Sequence, residues 1–230
     1  DVQSAVQNGA GGASLASQSR AVAAWKACEY VGLALFTVAL PRAMGPTAPL
    51  TEMNEQILPW LDRAAGEPFF LYVHALDTHF PHLLAPPSDQ WLGSVRATEQ
   101  IPFGAPTQAF GMTFSPAEKE LLSALYDGGV HQADAGVGML VGHLTALGIF
   151  DNTIVIISSD HGDALGEDGT RWGHWEGLDE VMRVPLVMRG PGIPKGLRAT
   201  ALTENVDIVP TLAELLGLRG EATFDGKSLK

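Results

Sequence analysis

The feature that most constrains this chain is Thr153-Ile-Val-Ile-Ile-Ser158, followed at once by Ser159-Asp160-His161-Gly162-Asp163. A run that is apolar and β-branched throughout favours an extended conformation and reads as a strand. In open α/β sheets ligands gather beyond the carboxyl ends of the strands. Asp160 and His161 stand at that end, and a carboxylate beside an imidazole can ligate a divalent metal. The plainer reading is a strand-end turn with a capping aspartate and a surface histidine.

The rest of the chain supplies the partners such a strand needs. Pro68-Phe-Phe-Leu-Tyr-Val-His74 is a short continuous apolar run of the kind buried on both faces in a parallel sheet. Residues 184–188 read as another buried strand. Between them, Ser115-Pro116-Ala117-Glu118 forms a capping box with proline at the first helical position, predicting a long helix that ends at Gly148. Its glycines 128, 129, 136, 138 and 142 lower the intrinsic propensity, so tertiary packing must hold it straight or it bends. Met53, Ile57, Leu58 and Leu61 mark one face of a helix over residues 51–65, with Thr51 as the expected N-cap and a disturbance at Pro59. Residues 207–216, closed by Gly217, read as a final helix. This order of strands and helices implies an α/β architecture with parallel pairing. Residues 21–40 look helical, and residues 1–20 look like a loop.

Composition narrows the function classes. Twenty-six acidic against 14 basic residues give a net charge of −12, which argues against a nucleic-acid-binding face. The single cysteine, Cys28, excludes an intrachain disulfide and leaves the compartment open. The apolar run from Tyr30 to Leu40 is far below the about 20 residues that a transmembrane helix needs, and no signal-peptide pattern is visible.

Histidines concentrate near the strands. His74, Asp77, His79 and His82 follow the Phe69 strand, where an imidazole can bind an anionic oxygen or protonate a leaving group. His74 is expected as a satisfied core histidine and His82, beside Pro81, as a solvated surface residue. A third segment, Gly166-Glu-Asp-Gly-Thr-Arg-Trp-Gly-His174-Trp175, suits either a loop closing over a pocket or a structured loop whose tryptophans cover the core. His131 and His143 on the long helix are expected to be structural or exposed, and Asp127 and Asp134 to lie at the surface or behind a site.

Taken together these segments resemble the sulfatase family of the alkaline phosphatase superfamily. The resemblance is carried by residues 68–81, by Leu147-Gly-Ile-Phe-Asp-Asn-Thr-Ile-Val-Ile-Ile-Ser-Ser-Asp-His-Gly162, by Trp172-Gly-His174, by Arg183-Val-Pro-Leu186 and by Arg189-Gly-Pro-Gly-Ile193. Asp207-Ile-Val-Pro-Thr-Leu212 and Phe224-Asp-Gly-Lys-Ser-Leu229 complete the order. One such motif is weak and this many in order are strong. The resemblance implies an alkaline-phosphatase-like, mostly parallel sheet flanked by helices and incomplete at its N-terminal side. Residues 1–50 would form a poorly defined segment of loop and one helix, and residues 51–230 the metal-binding half. It implies metal-dependent hydrolysis of a sulfate ester, with Asp160 and His161 as metal ligands. His79 and His174 would act as catalytic and substrate-binding contacts to the anion. Calcium is the implied ion. The histidine donor also admits manganese, magnesium or zinc, because imidazole is a poorer ligand for a hard cation.

Two departures qualify that picture. The family nucleophile is a cysteine or serine in a Cys/Ser-x-Pro-x-Arg context, and no residue here fits it. Cys28 sits in the wrong context, and Ala16-Ser-Gln-Ser-Arg20 has alanine where the nucleophile belongs. The paired aspartates of the family's first strand are also missing. This chain alone is therefore expected to bind metal weakly and to turn over no substrate. Histidine at position 161 keeps open phosphodiester or phosphonate hydrolysis and a membrane-linked phosphoethanolamine or phosphoglycerol transferase. A degenerate, non-catalytic binding module is the reading from outside enzymology.

Overall fold

The computed structural model describes residues 34–36, 48–79, 82, 84, 90, 114–169, 171–174, 177–218 and 223–230. The stretch predicted as an opening loop, with Ala16 to Arg20, and Cys28, most of the stretch between Asp77 and Phe114, and Trp175 lie outside these residues. In chain order the elements are β1 (Ala34–Phe36), α1 (Leu50–Ala64), β2 (Phe69–Leu71), α2 (Pro116–Ala146), β3 (Val155–Ser158), β4 (Ala164–Leu165), β5 (Trp172–Gly173), α3 (Asp179–Met182), β6 (Leu186–Arg189) and α4 (Ile208–Leu215). Short 3-10 turns at Phe150–Asn152 and Asn205–Asp207 precede β3 and α4. Among the described residues no helix is long and apolar enough to cross a membrane. The chain divides into two compact units, Asp1–Thr37 with Gly66–Tyr72 and Ala199–Lys230, and Val38–Ala65 with Val73–Arg198.

In the first unit β1 and β2 pair in parallel, with Ala34 opposite Phe69 and Phe36 opposite Leu71. Residues 34–36 therefore form a strand where a helix is predicted. A short apolar run carries no period that separates the two, and pairing with β2 supplies the backbone partners. The strand at Phe69–Leu71 is less buried than predicted, with Phe70 36% exposed. Elsewhere in this unit, the buried Asp207 accepts from the amides of Glu204 at 3.0 Å and Lys227 at 2.9 Å. Thr211 Oγ1 donates to the Asp207 carbonyl and accepts from Leu229 N at 3.0 Å, so α4 and the terminal segment are stapled together.

The second unit is built on α1 against α2. The capping box of α2 forms as the sequence requires: Ser115 Oγ accepts from Glu118 N at 3.2 Å, and Glu118 accepts from Ser115 N at 2.7 Å. The helix then runs 31 residues without a break, stops at Leu147 and leaves Gly148 with φ 71°. Packing explains how it carries so many glycines. Asn54 of α1, fully buried, donates to the Gly136 carbonyl at 2.8 Å, and Leu50 fills the space where a Gly136 side chain would stand. Ile57 and Leu61 are also fully enclosed at this interface. His143 Nε2 meets Asp62 at 2.9 Å across the two helices, a structural role. α1 starts at Leu50, one residue before the predicted cap at Thr51, and continues through Pro59, which lies on its exposed side.

The strand predicted most firmly, β3, pairs with β6, but in antiparallel sense: Val155 faces Arg189 and Ser158 faces Leu186. Parallel neighbours need a crossover that returns the chain to the opposite end, and none intervenes among the described residues. The chain leaves β3, makes the β4–β5 hairpin and the short α3, and re-enters alongside. The pair is half-open, with Ile157 39% and Val187 56% exposed. Arg189 fastens the entry to β3. Its guanidinium donates to the Phe150 carbonyl, lies 3.7 Å from the Phe150 ring centre and pairs with Asp151 at 2.5 Å.

Candidate active site

Every residue of the candidate site belongs to the second unit. Beyond β3 the backbone turns at His161 and Gly162. Gly162 N donates to the Val181 carbonyl at 2.7 Å, and a Cβ at Gly162 would collide with the Glu180 carbonyl. Glycine is thus required here because α3 lies directly against the turn. The turn fixes His161: its Nδ1 lies 2.9 Å from the Gly162 carbonyl. A carbonyl only accepts, so Nδ1 donates to it, and Nε2 is the nitrogen left to meet a metal or a proton. Ser159 Oγ donates to the His161 carbonyl at 2.5 Å, bracing the same turn.

Asp160 points outward, with its side chain 70% exposed and Oδ2 4.0 Å from His161 Nε2. Its partial burial acts to raise the carboxyl's affinity for a proton. Its own amide and that of His161, with the charges of His161 and His74, outweigh that and hold it below the usual carboxylate range. An ionised carboxylate beside an imidazole whose Nε2 is not committed to a hydrogen bond is chemically suited to a divalent cation.

His79 reaches the same region from a different segment. Asp77, two residues earlier, is buried and accepts from Leu50 N with both oxygens, at 3.2 and 3.0 Å. Gln132 of α2 contributes a further hydrogen bond to it. Burial pushes its carboxyl up, against the pull of these donors. Asp77, grouped by sequence with the site histidines, is thus the N-terminal cap of α1, a role taken by a residue 27 positions away. On its other side Gly129 of α2 approaches the Asp77 carbonyl so closely that a Cβ would collide with it. The following turn, His79 N to Leu76 carbonyl and His82 N to His79 carbonyl, sets His79 out toward His161.

The third contributor is the β4–β5 hairpin. Its two rungs are Ala164 opposite Gly173 and Leu165 opposite Trp172. Trp172 is buried against Phe114. The segment predicted as either a closing loop or a tryptophan-covered structure is thus a hairpin with Trp172 inside. The next facing positions beyond the rungs are Asp163 and His174, whose Oδ1 and Nδ1 lie 3.4 Å apart.

These segments bring three imidazoles together. Ring centres of His161 and His174 are 4.6 Å apart, His79 and His174 5.8 Å, and His79 and His161 6.4 Å. Ligand atoms of His161, Asp163 and His174 all fall within 4.8 Å of one another, close enough to share one cation. Burial raises the Asp163 carboxyl, opposed by the charges of His174, His161 and His79. Asp163 is the residue sequence reasoning did not assign. The signal for it was the turn-forming Gly166-Glu-Asp-Gly169, about which Asp163 and His174 are placed as hairpin partners.

Two histidines sit otherwise than predicted. His74 is exposed, not core, because the strand ends at Leu71 and its flank is open. His82 is buried, with φ 52°, stacked edge-on to Tyr126 at 5.9 Å. Burial and the nearby His79 push it down to about 4.

Comparison with known proteins agrees with the resemblance seen in the motifs. The sulfatase family model matches residues 22–218. The chain is 41% identical over 107 residues to the choline-sulfatase of Rhizobium meliloti, covering 45% of this chain and 20% of that protein. It is 31% identical over 175 residues to an ulvan-active sulfatase of Formosa agariphila, covering 74% of this chain and 33% of that one. The chain therefore spans a third or less of these two relatives. Among solved structures, the phosphonate monoester hydrolase of Agrobacterium radiobacter superposes with a TM-score of 0.65 at 23% identity, over 80% of this chain and 42% of that chain. That likeness establishes the alkaline-phosphatase-like fold. With the family model running over most of its length, the chain belongs to the sulfatase family.

Proposed function

We propose that the protein to which this chain belongs hydrolyses sulfate esters with the help of a divalent metal, and that this chain supplies one side of the site. The observation that carries the reading is the convergence of His79, His161 and His174 within 6.4 Å beyond the end of β3. The first relatives matched, at 41% and 31% identity, are sulfatases by name. Asp160 and His161 would hold the metal. The donor set fits, because Asp160 is held below the usual carboxylate range and His161 commits Nδ1, not Nε2, to a hydrogen bond. When bound, such an ion polarises the ester oxygens. His79 and His174 would bind and orient the anionic group, and either imidazole can give a proton to the departing oxygen. Calcium is the first expectation, with manganese, magnesium and zinc compatible with the nitrogen donor.

The test is a panel of aryl sulfate, phosphate diester and phosphonate monoester substrates with the full-length gene product, before and after chelation. Sulfate turnover lost on chelation and in Asp160→Ala is expected. Faster turnover of the diester or phosphonate would replace this reading with the second one, which His161 favours: a phosphodiester or phosphonate monoester hydrolase of the same superfamily.

A further inference from the structure

We infer that Asp163 is a positioning residue for His174. Its carboxylate accepts a hydrogen bond from Nδ1–H of that imidazole, fixes the ring and leaves Nε2 as the nitrogen turned toward the anion, to which it donates when it carries a proton. The inference rests on the reading of His174 as an anion contact. Three observations carry it.

The first is register. An antiparallel ladder that pairs Ala164 with Gly173 and Leu165 with Trp172 makes Asp163 and His174 the next facing pair. Their approach is therefore dictated by backbone pairing and not by side-chain chance. Burial of Trp172 and the tight turn at Gly166, φ 82°, lock that register. The second is an unmet need. Asp163 Oδ1 is buried and meets no donor in good geometry, yet His174 Nδ1 stands 3.4 Å away. An ionised carboxylate is an acceptor only, and a buried one without a donor is costly. A small rotation of the imidazole supplies the donor. The third is precedent within the same site. His161 commits Nδ1 to the Gly162 carbonyl and keeps Nε2 free. His174, 4.6 Å away, would be set in the same tautomer by a side chain instead of a carbonyl. Outer partners of this kind determine which ring nitrogen is offered.

The competing assignment makes Asp163 a metal ligand alongside His161 and His174. Both are tested on the full-length gene product labelled with ¹⁵N-histidine, with calcium as the metal probe and inorganic sulfate as the anion probe, the tautomers being read at about pH 8.5, well above the ordinary imidazole value. The tautomer of His174 is read from its two ring-nitrogen shifts. Expected is an Nδ1–H form in the parent chain and in Asp163→Asn, which keeps an acceptor oxygen. Asp163→Ala should switch it to Nε2–H, with calcium stoichiometry unchanged; sulfate binding, read separately at about pH 6 where an imidazole can carry both protons and donate through Nε2, should weaken about tenfold. His161, held by a backbone carbonyl, should keep its tautomer in Asp163→Ala, which also reports that the fold survives. An unchanged His174 tautomer in Asp163→Ala overturns the inference. So does loss of calcium in that variant as complete as in Asp160→Ala, which would make Asp163 a ligand. A tautomer switch in Asp163→Ala with no sulfate binding in the parent chain upholds the Asp163–His174 pairing and removes the anion-site reading instead.

Discussion

His82 and Asp77 show how single side chains hold the His79 segment in place. His82 is enclosed and kept neutral, its pKa pushed down to about 4 from 6.5. The native state then binds fewer protons than the unfolded chain between those two values, so stability falls as pH drops through that window. The loss is about 3 kcal/mol by pH 4. Urea midpoints at neutral pH and near pH 5 should differ in the parent chain and differ less in His82→Asn, since asparagine tolerates the positive φ of this position. Asp77→Ala removes the acceptor shared by Leu50 N and Gln132. A buried donor left without a partner costs about 1–3 kcal/mol, so a drop of that size in unfolding free energy is expected. It should be accompanied by shifted NMR signals for His79. A drop without any change at His79 would separate the cap of α1 from the placement of the site.

At the scale of elements, α2 makes a prediction of opposite signs on one helix. Gly138 has open space around it, so Gly138→Ala should gain close to the about 1 kcal/mol of helix propensity. Gly129→Ala would gain the same propensity and lose more, because its Cβ meets the Asp77 carbonyl, which is backbone and cannot swing aside. Thermal melts of the two variants should move in opposite directions. The capping box, the helix it starts and the stop at Gly148 were all legible from sequence, since caps are local chemistry. So was the existence of β3. Its partner's direction was not, because strand sense depends on where the intervening chain returns, and the described residues of 159–185 hold no crossover helix. β1 was hidden for a related reason: a three-residue strand made by its neighbour leaves no period of its own. In the site, His79, His161 and His174 were recognisable from their motifs. Asp163 was not, because its place follows from hairpin register, a fact about pairing and not about residue type.

For the whole molecule, the sequence contains no Cys/Ser-x-Pro-x-Arg motif to supply a nucleophile. We propose that the 230-residue chain by itself binds calcium weakly and turns over neither aryl sulfates nor phosphate diesters. Activity in this chain that disappears in Asp160→Ala would refute that. The net charge of −12 adds an expectation about binding. An anion approaches three imidazoles against an unfavourable overall field, and salt screens that field within about 8–10 Å.

The β4–β5 hairpin has only two rungs. Ladders this short open readily and owe their closure to what packs on them, here chiefly Trp172. The elements that hold Asp163 and His174 therefore breathe more than the helices beneath them. Deuterium uptake at Ala164, Leu165, Trp172 and Gly173 should be among the fastest in the second unit, and slow sharply when an anion fills the space beside His174. The part of the site with the thinnest scaffold would then be the part that registers whether the site is occupied.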